Sequence, residues 1–199
     1  GISSELGQVI HFLISCNKLM SLTEIAEQTA IVLETWGLTV TIQIRTDYEL
    51  VNYKLRGYVN PLEEKLIATV CNSGRIFDKG KLTFFNFGCI SVFIKNMPLD
   101  DPNRYGIIKD NGAFLVEGAL ARIQTLNNAV KLEHQHEIIS KVIDGLNAAL
   151  IRFESQSSAS STNFYDVFEL LTIHMEKSFS YFDFSEDQES GFRNLLTDI

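Results

Sequence analysis

Proline is confined to the first 102 of this chain's 199 residues. Pro61, Pro98 and Pro102 are its three prolines, and none follows Pro102. Glycine thins out as well: after Gly118 only Gly145 and Gly191 remain. These two residue types break regular elements, so the halves must differ in architecture. The first half is predicted to mix helix and strand, and the second to be built of long helices.

Residues 4–19 carry Leu6, Val9, Ile10, Leu13 and Ile14 at helical spacing. Ser21-Leu-Thr-Glu24 matches a capping box, so a second helix should follow. Its inward face is Leu22, Ile25, Ala26, Thr29, Ala30, Leu33 and Trp36, and Gly37 ends it. Residues 38–46 alternate apolar with Thr39, Thr41, Gln43 and Arg45, which predicts a strand with one wet face. A tight turn at 47–49 and renewed alternation over 50–56 predict an antiparallel hairpin.

Pro61 suits the first turn of a helix over 61–73, with Leu62, Leu66, Ile67 and Val70 inward. Three strands are expected at 75–77, 81–86 and 89–95, turning at Gly80 and Gly88. The last is almost wholly apolar, as a central strand would be. A loop at 97–103 precedes a helical pattern over 104–154. Within it Val116, Ala119, Ile123, Leu126 and Val130 form one heptad seam. Ile139, Ile143, Leu146, Leu150 and Phe153 form a second, out of phase by one position. The polar stretch 131–137 between them predicts a kink, a stutter or a change of partner.

The serine-rich segment 155–162 is expected to be a flexible connector. Phe164, Phe168, Leu171, Met175, Phe179 and Phe182 then form an aromatic helical stripe. Residues 137–154 and 163–180 would each span about 27 Å as helix, which suggests an antiparallel helical hairpin. Six large apolar residues exceed what one neighbouring helix needs. The expected interface of a dimeric bundle is therefore Ile139, Ile143, Leu146, Leu150, Phe164, Phe168, Leu171 and Met175. Ser185 is expected to cap a last short helix.

The predicted fold class is α+β: an antiparallel sheet flanked by helices, then a long helix and an α-helical hairpin. The expected divisions are a linker helix over 1–20, an α+β domain over 21–128 and a helical tail over 129–199. At 199 residues, 45% hydrophobic and 21% charged, the chain is globular in composition. It can bury roughly 70% of its unfolded surface without a metal or disulfide. Its net charge of −8, with no basic run denser than Lys79 and Lys81, argues against nucleic acid as a partner. No apolar run is long enough to span a membrane, and no signal peptide is expected. Cys16, Cys71 and Cys89 are widely spaced and odd in number, which predicts free thiols in the cytoplasm. Gly1, in place of an initiator Met, is expected to mark a piece of a longer protein.

Helix, two strands, helix, three strands and a long helix is the order of a GAF-like domain. The sequence resembles one group of bacterial two-component response regulators, in which a receiver precedes a GAF-like domain and a helical tail. The matching segments are Ser4-Glu-Leu-Gly-Gln-Val-Ile10, Gly74-Arg-Ile-Phe77, Val92-Phe-Ile-Lys-Asn-Met-Pro-Leu-Asp-Asp-Pro102 with Gly106-Ile-Ile-Lys-Asp110, and Phe184-Ser-Glu-Asp-Gln-Glu189. The resemblance covers nearly the whole chain. It implies a non-enzymatic regulatory module downstream of a receiver, relaying a signal through helix packing or dimerisation to an unknown partner. The cyclic-nucleotide and bilin patterns of GAF domains are missing, so the resemblance implies no cofactor.

Phe77, Phe84, Phe85, Phe87 and Phe93 crowd the second half of the sheet. Either they are core, or Phe77, Phe85, Phe87 and Phe93 wall an apolar ligand pocket. The chain would then be a small-molecule sensor. His134 and His136 point to different helix faces, which does not suit one metal, and no metal site is expected. His136-Glu137 is similar to the phosphoacceptor dipeptide of histidine-kinase dimerisation helices, without the Arg and Pro that usually follow it. His174-Met-Glu-Lys177 is loosely similar to the patch of phosphotransfer domains. A histidine phosphotransfer or degenerate kinase-dimerisation protein, using His136 or His174, is therefore a further alternative. No glycine loop for phosphate and no nucleophile motif occurs.

Overall fold

The computed structural model describes residues 2–157 and Ile173. Its elements are α1 (Ile2–Cys16), α2 (Leu22–Thr35), β1 (Val40–Arg45), β2 (Leu50–Tyr53), α3 (Pro61–Val70), β3 (Ile76–Lys79), β4 (Leu82–Phe87), β5 (Ile90–Ile94) and α4 (Pro102–Ser157). The strands form one antiparallel sheet in the order β2-β1-β5-β4-β3. The expected α+β architecture and the GAF-like order of elements are both present. The chain forms two compact units, Gly1–Asn128 and Ala129–Ile199.

Local chemistry sets several boundaries. Ser21 caps α2 by accepting from the Glu24 amide at 3.1 Å. The Glu24 carboxylate reaches back to the Met20 amide at 2.7 Å, one residue beyond the usual capping box. All seven residues expected on the inner face of α2 are buried. Gly80 and Gly88, at φ +61° and +55°, turn β3 into β4 and β4 into β5, a conformation that strains any side chain with a Cβ. Cys89 lies in the second of these turns and not in the central strand where the sequence placed it.

The sheet is covered on both faces. One face carries Val40, Ile42, Ile44, Val51, Phe85, Phe87, Ile90, Val92 and Ile94. It packs against α1 through Val9, Phe12 and Cys16, against α2, and against α4 through Ile108, Leu115, Val116, Ala119 and Ile123. The other face packs its smaller apolar part, Phe84 and Phe93, against Ile67 of α3.

Three expectations change in phase or cover. The buried side of α1 is Glu5, Val9, Phe12 and Cys16, while Leu6, Ile10, Leu13 and Ile14 are exposed. Of the four residues expected inward on α3 only Ile67 is fully buried; Leu62 and Leu66 are exposed, and Val70 is partly covered. The face of β1 expected to be wet is covered instead, with Thr41 and Gln43 buried. Helix α4 continues through 131–137 without interruption. The connector expected at 155–162 is helical to Ser157, and its remainder lies outside the described residues.

Candidate functional site

Strand alternation sends Thr41, Gln43 and Arg45 of β1 to the face that α3 partly covers. The register then builds two rows across the sheet. Thr41 is opposite Phe93, which is opposite Phe84, which is opposite Phe77. The next row is polar in all four strands: Asn52, Gln43, Ser91 and Asn86.

This polar row is joined by hydrogen bonds. Gln43 Nε2 donates to Asn52 Oδ1 at 2.8 Å, and Ser91 Oγ donates to Asn86 Oδ1 at 2.9 Å. Arg45 bridges the two pairs, donating from Nη1 to Gln43 Oε1 at 2.8 Å and from Nη2 to Ser91 Oγ at 2.9 Å. Asn86 Nδ2 also donates to the carbonyls of Val70 at 2.9 Å and Gly74 at 3.1 Å, tying down the end of α3. Gln43, Asn86 and Ser91 are buried and Arg45 is half-buried. Among the described residues no carboxylate lies within ion-pairing distance of Arg45.

The start of α3 brings a carboxylate to the same face. Asn60 caps the helix by accepting from the Leu62 amide at 2.9 Å, and Pro61 occupies the first turn. Glu63 then accepts from Thr41 Oγ1 at 3.0 Å, accepts from and pairs with Lys95, and faces Lys54 Nζ at 3.6 Å. Burial pushes the Glu63 carboxyl up. The hydrogen bonds from Lys95 and Thr41, with the charges of Lys95 and Lys54, outweigh burial and hold it below the usual carboxylate range.

The phenylalanines expected to wall a pocket do not come together. Phe85 and Phe87 lie in the core under α1, α2 and α4, whereas Phe77 and Phe93 lie on the face toward α3. Odd and even positions of one strand point oppositely, so Phe84 and Phe85 part company. Phe84 stacks on Phe93 at 4.4 Å between centroids.

On α4, Ile139, Ile143 and Leu150 are exposed and Leu146 is half-buried. Phe164, Phe168, Leu171, Met175 and His174 lie outside the described residues. His136 lies on α4 and is exposed. Among the described residues no three His, Cys, Asp or Glu side chains are placed to hold a metal, and no helix is long and apolar enough to cross a membrane. Burial pushes the Cys89 thiol up, only partly opposed by its backbone hydrogen bond and by the charge of Arg45, so it is a poor nucleophile.

The alternation of Thr41, Gln43 and Arg45 with apolar residues predicts the wet side of an amphipathic strand, yet Thr41 and Gln43 are buried. Strand order makes β1 an inner strand, and α3 crosses part of that side.

No protein-family model matches the sequence, and no curated protein matches it. Among solved structures the chain is similar to the GAF domain of the potassium sensor histidine kinase KdpD from Escherichia coli. The two are 14% identical with a TM-score of 0.48, over 62% of this chain and 97% of that one.

Proposed function

We propose that this chain is a non-enzymatic sensory module of a two-component signalling protein. In this reading it binds a small polar ligand with an anionic group on the polar row beside α3. Arg45 carries the argument. A half-buried guanidinium with only neutral acceptors is an uncompensated charge in a row of buried hydrogen-bonding groups. A face made only to seat α3 would be served by apolar residues, as Phe84 and Phe93 do against Ile67 one row away. An anionic ligand would supply the missing charge, with a fork geometry suited to arginine.

The resemblance to response regulators supports a receiver upstream, a cytoplasmic setting and a partner downstream. The output in this reading is α4, through helix packing or dimer state. The exposed Ile139, Ile143 and Leu150 support a homodimeric seam there.

Native mass spectrometry of the purified chain over a concentration range tests both parts. The expected result is an added mass of a few hundred daltons on each chain, lost in Arg45→Ala, and a dimer that Ile143→Asp dissociates. Bare wild-type chains, with no metabolite anion raising the melting temperature more in wild type than in Arg45→Ala, would sink the ligand reading. A monomer at every concentration would sink the dimer.

A further inference from the structure

Helix α3 is thinly held to the sheet. Ile67 is its one fully buried side chain. Its first turn is fixed by Glu63 and its last by the Asn86 bond to the Val70 carbonyl. Segments with few buried apolar contacts open at the low end of local stability.

What holds Glu63 is itself a carboxylate-binding cradle. Thr41 lies on β1, Lys54 directly follows β2, and Lys95 directly follows β5, so three separate strands converge on one carboxylate. Two lysines face that single charge, which leaves the cradle one positive charge in excess. The lysine side chains retain 24% and 22% exposure, so the cradle is open to an ion from solvent.

We propose that Thr41, Lys54 and Lys95 form a carboxylate subsite that α3 fills with its own Glu63, and that a small organic carboxylate takes Glu63's place and releases α3 from the sheet. This rests on the reading that the face under α3 takes an anionic ligand. Glu63 competes as a tethered group at an effective concentration of millimolar order, so a lone monocarboxylate binds weakly while it is present. Removing Glu63 exposes the subsite.

The test is chemical rescue. Glu63→Ala deletes the equivalent of one acetate. Sodium acetate, at constant ionic strength against sodium chloride, is expected to raise the melting temperature of Glu63→Ala saturably. The rise should be about 3–6 °C at ten times the dissociation constant. Wild type and the triple variant Lys54→Ala, Lys95→Ala, Glu63→Ala should show no such rise, and acetamide should be inert. A response of Glu63→Ala to acetate no larger than to chloride would overturn the proposal.

Glu63→Gln keeps the shape of the side chain and covers the case in which Glu63→Ala fails to fold. Its amides over 62–70 should exchange about tenfold faster than in wild type, with β1 and β5 unchanged, as expected for loss of charge-assisted bonds. Unchanged exchange over 62–70 would show that Glu63 latches nothing. Neither measurement uses Arg45 or the natural ligand, so its failure is separate from loss of the co-purifying mass.

Discussion

Arg104, near the start of α4, donates to the carboxylate of Glu5 on α1 and pairs with it. Its other terminal nitrogen donates to the Trp36 carbonyl at 3.1 Å. Trp36 in turn donates its indole N–H to Gln8 of α1 at 2.6 Å. Three helices of the first unit thus meet at one buried acid. The Glu5 side chain is only 8% exposed, and its Oε2 has no hydrogen-bond partner among the described residues.

Removing Arg104 therefore strands a buried carboxylate. Arg104→Met is expected to cost about 2–4 kcal/mol, somewhat below the full cost of breaking a buried pair because the arginine is partly exposed. Adding Glu5→Gln should restore more than half of that loss. Urea unfolding followed by Trp36, the sole tryptophan, measures both. Additive costs in the double-mutant cycle would show that the pair is not coupled.

Phe84 and Phe85 are adjacent in sequence and belong to different clusters. Both are fully buried, so either change to alanine should cost about 3–5 kcal/mol. The pattern of hydrogen exchange should separate them. Phe84→Ala should raise exchange first over 62–70, because its ring supports Ile67. Phe85→Ala should raise it across α1, α2 and the sheet. The same pattern for both would mean that the two faces open as one.

The contrast explains what could be read in advance. In α2 one apolar stripe and a clear cap fixed both position and phase, because the outer side of that helix is polar. In α1 there are two stripes. Leu6, Ile10, Leu13 and Ile14 have helical spacing, and so do Glu5, Val9, Phe12 and Cys16, one of which is an acid. Periodicity names residues that share a side, and the partner decides which side is buried. The same limit hid the candidate site. Alternation put Thr41, Gln43 and Arg45 together, but only the register with β2, β5 and β4 aligns Gln43 with Asn52, Ser91 and Asn86.

Asp78 and Lys109 give the first unit a pH dependence with two limbs. They bond at 2.7 Å, and Thr83 also donates to Asp78 at 2.7 Å. Burial pushes the Asp78 carboxyl up, but hydrogen bonds from Lys109, Thr83 and Tyr105 with the Lys109 charge hold it below 3.8. Burial pushes Lys109 down, but Asp78 and Tyr105 hold it above 10.5. A lowered carboxyl stabilises above its unfolded value, and that is lost as pH falls through the folded value. A raised ammonium stabilises below its unfolded value, and that is lost as pH rises through the folded one. The stability difference between wild type and Asp78→Asn should be flat from about pH 5 to 10, at roughly 0.5–1 kcal/mol for a partly exposed pair. It should shrink below pH 3.8 and above pH 10.5. Urea midpoints across that range decide it, and a difference that does not vary with pH would remove the ion pair from the account.

Two glycines of α4 should respond oppositely to the same change. Replacing glycine by alanine inside a helix favours folding by about 1 kcal/mol if the methyl fits. At Gly112 the new Cβ would stand 3.1 Å from Phe85 Cζ, and that ring is fully buried with nowhere to move. At Gly118 it would overlap Leu13 Cδ2 at 2.0 Å, but Leu13 is 40% exposed and its tip can swing outward. Gly118→Ala should therefore be neutral or stabilising by up to about 1 kcal/mol. Gly112→Ala should be destabilising despite the same propensity gain, because overpacking costs more. Melting temperatures of the two variants test this, and the reverse order would mean that α4 yields at Phe85 more readily than α1 does at Leu13.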